Sequence, residues 1–263
     1  MKIAVFQFAS SESIEGNVSA IERAILKASQ NGVRLLVFHE CALCGYPSVE
    51  RADLVGIDRV ALHQAIETVK CLAKENQMYV ALGTAIETEQ GFTNGMLLLS
   101  PEGETMGSYG KRALWGYDLN HFQKGKETGI FEIEGTRIGF RICYEVRFPE
   151  YFRELFKERV KLCFVSFSDV SEEDSLYKYE LIKAHLRTRA VENVMTVVSV
   201  NSVSKFQSAP TAIFDVNGEV AVEAPRNQEH LLMYDYMPPQ MGFFQEGRLR
   251  NSCEIMGTEY SER

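Results

Sequence analysis

The chain has 263 residues, of which 28 are Lys or Arg and 36 Asp or Glu, giving a formal charge of −8. That balance provides no field to gather a polyanion, which argues against nucleic acid as a partner. Hydrophobic residues make up 45% and charged residues 24%, ordinary for a globular chain long enough to bury a sizeable core. No apolar run approaches the ~18 residues that a membrane span needs.

In chain order the pattern alternates between strand and helix. Residues 3–8 read as a first core strand. Residues 17–29 read as a helix with Val18, Ile21, Ile25 and Ala28 on one face. The wholly apolar stretch 35–38 suits a strand covered on both faces. A second helix is predicted over 59–75, then strands over 79–86, 95–99 and 104–109, the last two joined by the turn Ser100-Pro101-Glu102-Gly103.

The second half repeats the habit. A hairpin is predicted over 131–133 and 136–142 around Glu134-Gly135, then a short helix over 150–156 and a buried strand over 162–167. A long helix over 176–193 leads to a strand over 195–200. A hairpin over 212–214 and 219–222 and a strand over 230–234 follow. Residues 237–263 show no clear period and are expected to form a C-terminal tail. No Pro/Gly/Ser-rich linker divides the chain, so a single domain over 1–263 is expected. Its mixture of crossovers and hairpins suits an α/β fold of two mixed sheets between helical layers.

Three of these strands end on residues with chemical potential. The strand over 35–38 runs into His39-Glu40, that over 104–109 into Gly110-Lys111, and that over 136–142 into Cys143-Tyr144-Glu145. A thiol at the end of a rigid strand is placed as a nucleophile needs to be. A carboxylate could take and return its proton. An ammonium could stabilise thiolate and oxyanion, with the Tyr144 N–H as a second oxyanion donor. Each residue alone is more commonly filler or surface, and spacing alone does not bring the three together.

Six cysteines lie mostly in apolar segments of a chain that opens on a core strand instead of a leader. They read as free thiols in a reducing cytoplasm. Cys41-x-x-Cys44 lacks the further ligands that zinc needs and precedes a turn, Gly45-Tyr46-Pro47, so its thiols are expected to line the region behind Glu40. No metal site and no glycine-rich phosphate loop is read from the sequence.

Four segments resemble the nitrilase superfamily of carbon–nitrogen hydrolases. They are Phe38-His39-Glu40-Cys41, Tyr109-Gly110-Lys111-Arg112, Cys143-Tyr144-Glu145-Val146-Arg147-Phe148-Pro149-Glu150, and Arg187-Thr188-Arg189-Ala190-Val191-Glu192-Asn193. The resemblance implies a four-layer α-β-β-α sandwich, a Glu40/Lys111/Cys143 catalytic set, no cofactor, and a homodimer or larger assembly. It also places the segment Ser166-Phe167-Ser168 across the pocket from the nucleophile. The sequence departs from the family pattern in several places. His39 stands where Pro is common, Ala113 where His often follows the lysine motif, and Ile182 where Trp is usual. Asp118 falls in the place of a second glutamate that positions the lysine. It reaches one methylene less, so Asp118→Glu is expected to be tolerated or to improve activity. Lys111→Met is expected to harm turnover more than folding.

The expected activity is hydrolysis of a small linear amide or N-carbamoyl compound with release of ammonia through a Cys143 intermediate. A nitrilase and an inactive scaffold of the same fold are the alternatives. Arg147 either grips a substrate carboxylate or pairs with Glu145 or Glu150. Tyr46, Phe167 and Ser168 are further pocket candidates. Glu145 reads as a framework hydrogen-bonder, and Glu192 as a partner of Arg187 or Arg189.

Overall fold

The computed structural model describes residues 1–259. Two six-stranded sheets face each other, and the period-2 alternation of their strands explains why. In β1 (Lys2–Gln7), Ile3 and Val5 point one way and Ala4 and Phe6 the other; in β2 (Leu35–Phe38), Leu35 and Val37 oppose Leu36 and Phe38. The first set of each meets the second sheet. The other set meets helices α1 (Ile14–Gln30) and α2 (Arg59–Glu75). Fully burying one such side chain stabilises by about 1.5–3 kcal/mol, so the two apolar faces commit each strand to an interior position. α1 and α2 start at Ser13 and Asp58, whose side chains accept from the N–H groups of Gly16 and Ala61.

The first sheet is completed by β3 (Tyr79–Thr88), β4 (Gly91–Leu99), β5 (Thr105–Gly110) and a strand from the far end of the chain, His230–Asp235. β1, β2 and β3 run parallel, β4 is antiparallel to β3, and β5 returns in the direction of β3. The C-terminal ends of β2 and β5 therefore lie at the same end of the sheet. After β5 come the short helix α3 (Asp118–His121) and the hairpin β6 (Ile130–Ile133) and β7 (Thr136–Ile142).

A 3-10 turn over Cys143–Arg147 follows β7, then α4 (Pro149–Lys157), β8 (Leu162–Phe167) and the two-residue β9 (Val170–Ser171). Next are α5 (Leu176–Asn193), β10 (Thr196–Asn201), β11 (Phe206–Gln207), β12 (Ala212–Phe214) and β13 (Val220–Glu223); β14 is the strand His230–Asp235. The second sheet has the order β13-β12-β10-β8-β7-β6, with β7, β8 and β10 parallel. Ile138, Phe140, Leu162, Phe164 and Val198 face the first sheet, while Cys163, Val165 and Val197 face α4 and α5. The layers are thus α-β-β-α, as expected from the resemblance.

The aperiodic reading of the C-terminal tail is wrong: Phe243–Met256 form a helix, α6. Leu249, Cys253 and Met256, spaced by four and three residues, pack against the outer core of the second sheet. Exposed Phe243, Phe244 and Ile255 and the interior Gly247 hide that stripe in the sequence. The inner face of α6 is therefore occupied by its own chain. The last four residues of the tail lie outside the described residues. Among the described residues no helix is long and apolar enough to cross a membrane.

Candidate active site

The parallel strands of both sheets deliver their C-terminal ends to one cavity of about 610 Å³, lined among others by Tyr46, Lys111, Cys143, Tyr144, Arg147, Phe167 and Ser168. Glu40 follows β2, Lys111 follows β5, Cys143 follows β7 and Ser168 follows β8. The three strand ends named in the sequence meet here, which the family resemblance implied and their spacing alone did not.

Glu40 and Lys111 are each 1% exposed and form an ion pair of 2.7 Å through Oε1 and Nζ. Lys111 Nζ also lies 2.7 Å from Asp118 Oδ2, whose residue is fully buried. Two of the three ammonium N–H groups are thereby occupied and one is left for the cavity. Glu40 Oε2 accepts from the Ser168 N–H at 2.8 Å. Burial pushes the Glu40 carboxyl above its usual range, and the Lys111 charge opposes that rise. Burial works against the Lys111 charge, but Glu40, Cys143 and Asp118 outweigh it and hold the ammonium well above its ordinary pKa. For Cys143, burial and then the Glu40 charge raise the thiol well above its usual value, against the pull of Lys111. The resting group is a thiol, so attack needs a base.

Cys143 opens the 3-10 turn at φ 47°, a left-handed conformation that costs a non-glycine residue about 1–2 kcal/mol. The turn projects the half-buried sulfur into the cavity. It also leaves early N–H groups, that of Tyr144 among them, without intrahelical acceptors. Glu145 holds this elbow as the framework residue expected of it. Its carboxylate accepts from Ile142 N at 2.7 Å, from Arg112 N at 2.7 Å and from the Tyr109 hydroxyl at 2.8 Å, which ties the nucleophile segment to the lysine segment. Gly83 of β3 lets the Glu40 segment sit close: a Cβ there would stand 1.9 Å from the His39 carbonyl oxygen.

Two residues that carry this arrangement escape the sequence reading. Asn94 of β4 donates through Nδ2 to Glu40 Oε1 at 2.7 Å, and its carbonyl accepts from Lys111 N at 2.8 Å. A buried Asn in mid-strand is the available signal, since Asn is depleted there. Glu50 is the other, and the sequence around it reads only as loop.

Asp118 lies close to Lys111 despite its shorter side chain, because α3 brings its backbone in. Its oxygens also accept from the Tyr46 hydroxyl at 2.8 Å and from Trp115 N at 2.9 Å. Asp118 is fully buried and its oxygens already meet Lys111, Tyr46 and Trp115, so the added methylene of Asp118→Glu is expected to disturb this set, against the expectation that it is tolerated or improving. We expect Asp118→Glu to lose about 1–3 kcal/mol of stability in urea denaturation; a parental midpoint with parental activity would refute this.

Lys111→Met is expected to harm folding as well as turnover, against the expectation from the sequence. It would leave two buried carboxylates without their cation. Neither proposed ion pair of Arg147 forms; its guanidinium lies over the Tyr144 ring at 5.9 Å and lines the cavity. Glu192 pairs with Arg189 at 2.8 Å, one of its two expected partners. All six cysteines are free, and Cys41 and Cys44 are fully buried behind Glu40.

His39 is fully buried against Phe8, and its Nε2 has no partner among the described residues. Burial lowers its pKa to about 4, against hydrogen bonding that raises it. The unfolded value is about 6.5. The neutral ring therefore favours the fold in full above pH ~6.5, and this contribution is lost as pH falls toward 4. The expected loss over that window is about 3 kcal/mol. Denaturant titrations from pH 7 to 4 should show it, with a shallower slope for His39→Asn; identical slopes would remove His39 as the cause.

A buried carboxylate–ammonium pair beside a cavity-facing thiol, on a four-layer α/β sandwich, defines the class of thiol-dependent hydrolases. The chain belongs to the carbon–nitrogen hydrolase family, which matches residues 2–243. It is similar to an (R)-stereoselective amidase of Pseudomonas sp., with 28% identity over 89% of this chain and 85% of the other. It is also similar to 2-oxoglutaramate amidase of Bacillus subtilis, with 28% identity over 81% of each. In fold it resembles a cysteine-to-alanine mutant of an amidase of the nitrilase superfamily from Nesterenkonia AN1. That likeness has a TM-score of 0.82 and 20% identity, covering 98% of this chain and 95% of that one.

Proposed function

We propose that this hydrolase acts on small linear amides or N-carbamoyl compounds, with Cys143 as nucleophile, Glu40 as general base and acid, and Lys111 as electrostatic stabiliser. The observation that carries the reading is the Lys111–Glu40 ion pair of 2.7 Å at the edge of the cavity that Cys143 enters. Glu40 takes the thiol proton as sulfur bonds to the carbonyl carbon. The resulting oxyanion is met by the third N–H of Lys111 and by the Tyr144 N–H. Glu40 then gives its proton to the departing nitrogen, and collapse of the intermediate releases ammonia and leaves a thioester. Water, deprotonated by Glu40, attacks the thioester; the acid leaves and the thiol is restored. Asp118 holds Lys111, and no step calls for a metal or cofactor.

Arg147 favours substrates that carry a carboxylate at the end remote from the amide. It lines the cavity, and no carboxylate pairs with it among the described residues, whereas Lys178 is paired with Asp169 and Lys205 with Glu172. Tyr46, Phe167 and Ser168 form walls of the same cavity. The similarity to a 2-oxoglutaramate amidase supports this choice. A single domain, a cytoplasmic location and a homodimer are proposed with it. Exposed Phe243 and Phe244 at the start of α6 offer apolar surface to a second copy. Light scattering should then give twice the 29.8 kDa of one chain.

The deciding experiment is ammonia release beside intact-mass spectrometry across amides, carbamoyl compounds and nitriles, with and without a terminal carboxylate. An acyl adduct on Cys143 with carboxylate-bearing amides is expected. Turnover confined to nitriles would overturn the amide reading.

A further inference from the structure

Glu50 carries no role in the reaction above, yet its carboxylate is built into the site. Gly45, at φ 75°, folds the segment after β2 back on itself, and a Cβ there would meet the Ser11 carbonyl oxygen at 2.6 Å and the Glu50 Cβ at 3.3 Å. The Glu50 carboxylate is thereby turned inward. Oε2 accepts from the Tyr46 N–H at 2.8 Å. Oε1 accepts from three hydroxyls, those of Ser168 at 3.3 Å, Ser202 at 3.2 Å and Ser204 at 2.7 Å. No cation pairs with it among the described residues, an unusual state for a half-buried carboxylate whose two oxygens are both taken up by protein donors.

The donors belong to three separate pieces of chain: the loop after β2, the end of β8 and the segment after β10. Two of them touch the reacting set directly. Tyr46 donates its hydroxyl to Asp118, which holds Lys111. Ser168 donates its backbone N–H to Glu40. One carboxylate thus anchors both ends of the Glu40–Lys111–Asp118 cluster from outside it.

We infer that Glu50 is a positioning residue for hydrolysis, clamping Tyr46 and Ser168 together so that Asp118 and Glu40 keep their aim on Lys111 and Cys143. The inference rests on Glu40 and Lys111 acting as proposed above. The clamp is satisfied by hydroxyl and amide donors alone, so it holds the two walls without placing a further positive charge beside the thiol. Burial raises the Glu50 carboxyl above its usual range, while the Ser204 hydroxyl and the Tyr46 N–H pull it back.

The two arms of the clamp can be cut unequally. Glu50→Gln keeps the shape and an oxygen for the Tyr46 N–H, but turns an NH₂ toward the three serine hydroxyls, which must then give up donating to Oε1 and accept instead. Glu50→Ala releases both arms. The measurement is steady-state ammonia release from a carboxylate-bearing amide, normalised to Cys143 sites titrated by alkylation and counted by peptide mapping, since Cys71 is exposed and also free, with thermal midpoints alongside. Displacement of reacting groups by about 1 Å costs on the order of 10²-fold. We expect kcat per titrated site to fall about tenfold in Glu50→Gln and about 10²-fold in Glu50→Ala, with KM within about threefold of the parent.

A parental kcat per titrated site with only a lowered thermal midpoint would reduce Glu50 to a structural residue and overturn the inference. So would a raised KM at unchanged kcat, which marks a binding wall. If Glu50→Ala fails to fold, the isosteric Glu50→Gln decides on the same criteria. A parent that forms no adduct and releases no ammonia removes the proposed reaction itself, and this inference with it, a result distinct from a working parent with indifferent variants.

Discussion

Replacing Cys143 by alanine is expected to reduce ammonia release by roughly 10⁴-fold or more, because no thioester can form and the remaining groups supply only binding and electrostatics. The fold should survive. Cys143 is half-buried at a cavity wall, and the elbow around it is held by backbone donors to Glu145. Stability is therefore expected within about 1 kcal/mol of the parent. Intact-mass spectrometry supplies an independent check, since the acyl adduct seen with the parent should be absent. Turnover above background in a preparation free of parent protein would exclude Cys143 as the nucleophile.

Lys111→Met should produce the second large effect, and it separates into two parts. In the transition state the enzyme loses a charge facing the oxyanion, which on the scale of a lost oxyanion donor costs about 10²–10³-fold in kcat. In the folded state it leaves Glu40 and Asp118 buried, 1% and 0% exposed at their side chains, without a cation. Breaking a buried pair in this way costs about 3–5 kcal/mol.

The pH dependence distinguishes that origin from generic damage. Burial already raises the Glu40 carboxyl, and loss of Lys111 removes the strongest opposing influence. A carboxyl whose folded pKa lies above its unfolded value destabilises the fold at high pH, and the penalty is relieved as pH falls through the folded pKa. The stability gap between parent and Lys111→Met should therefore narrow from pH 7 to pH 5. His39 contributes to both proteins and cancels in the difference. A gap constant with pH would point to lost packing instead of stranded charge.

Much of the fold was legible because its elements are locally consistent. The apolar strands β2 and β8 and the helices α1 and α2 carry their pattern in the residues themselves, and polar or turn residues flank them. Helix α6 was not legible, since its three inward residues are matched in number by exposed apolar ones whose setting no local pattern reveals. The strand ends carrying Glu40, Lys111 and Cys143 could be named one by one. That a turn-borne serine N–H and a mid-strand Asn complete the carboxylate's hydrogen bonds could not.

The sequence by itself determined the residue types at the strand ends, the alternation of apolar faces and the absence of a net positive field. Those are properties of neighbours along the chain. Only the tertiary structure decided that Asp118 reaches Lys111 without an added methylene, that no carboxylate among the described residues pairs with Arg147 at the cavity, and that Glu50 gathers donors from three segments. Each of these depends on where distant backbone segments come to lie. Glu50 and Ser204, for example, are 154 positions apart and meet at 2.7 Å, a distance that the packing of two sheets imposes and no local spacing encodes.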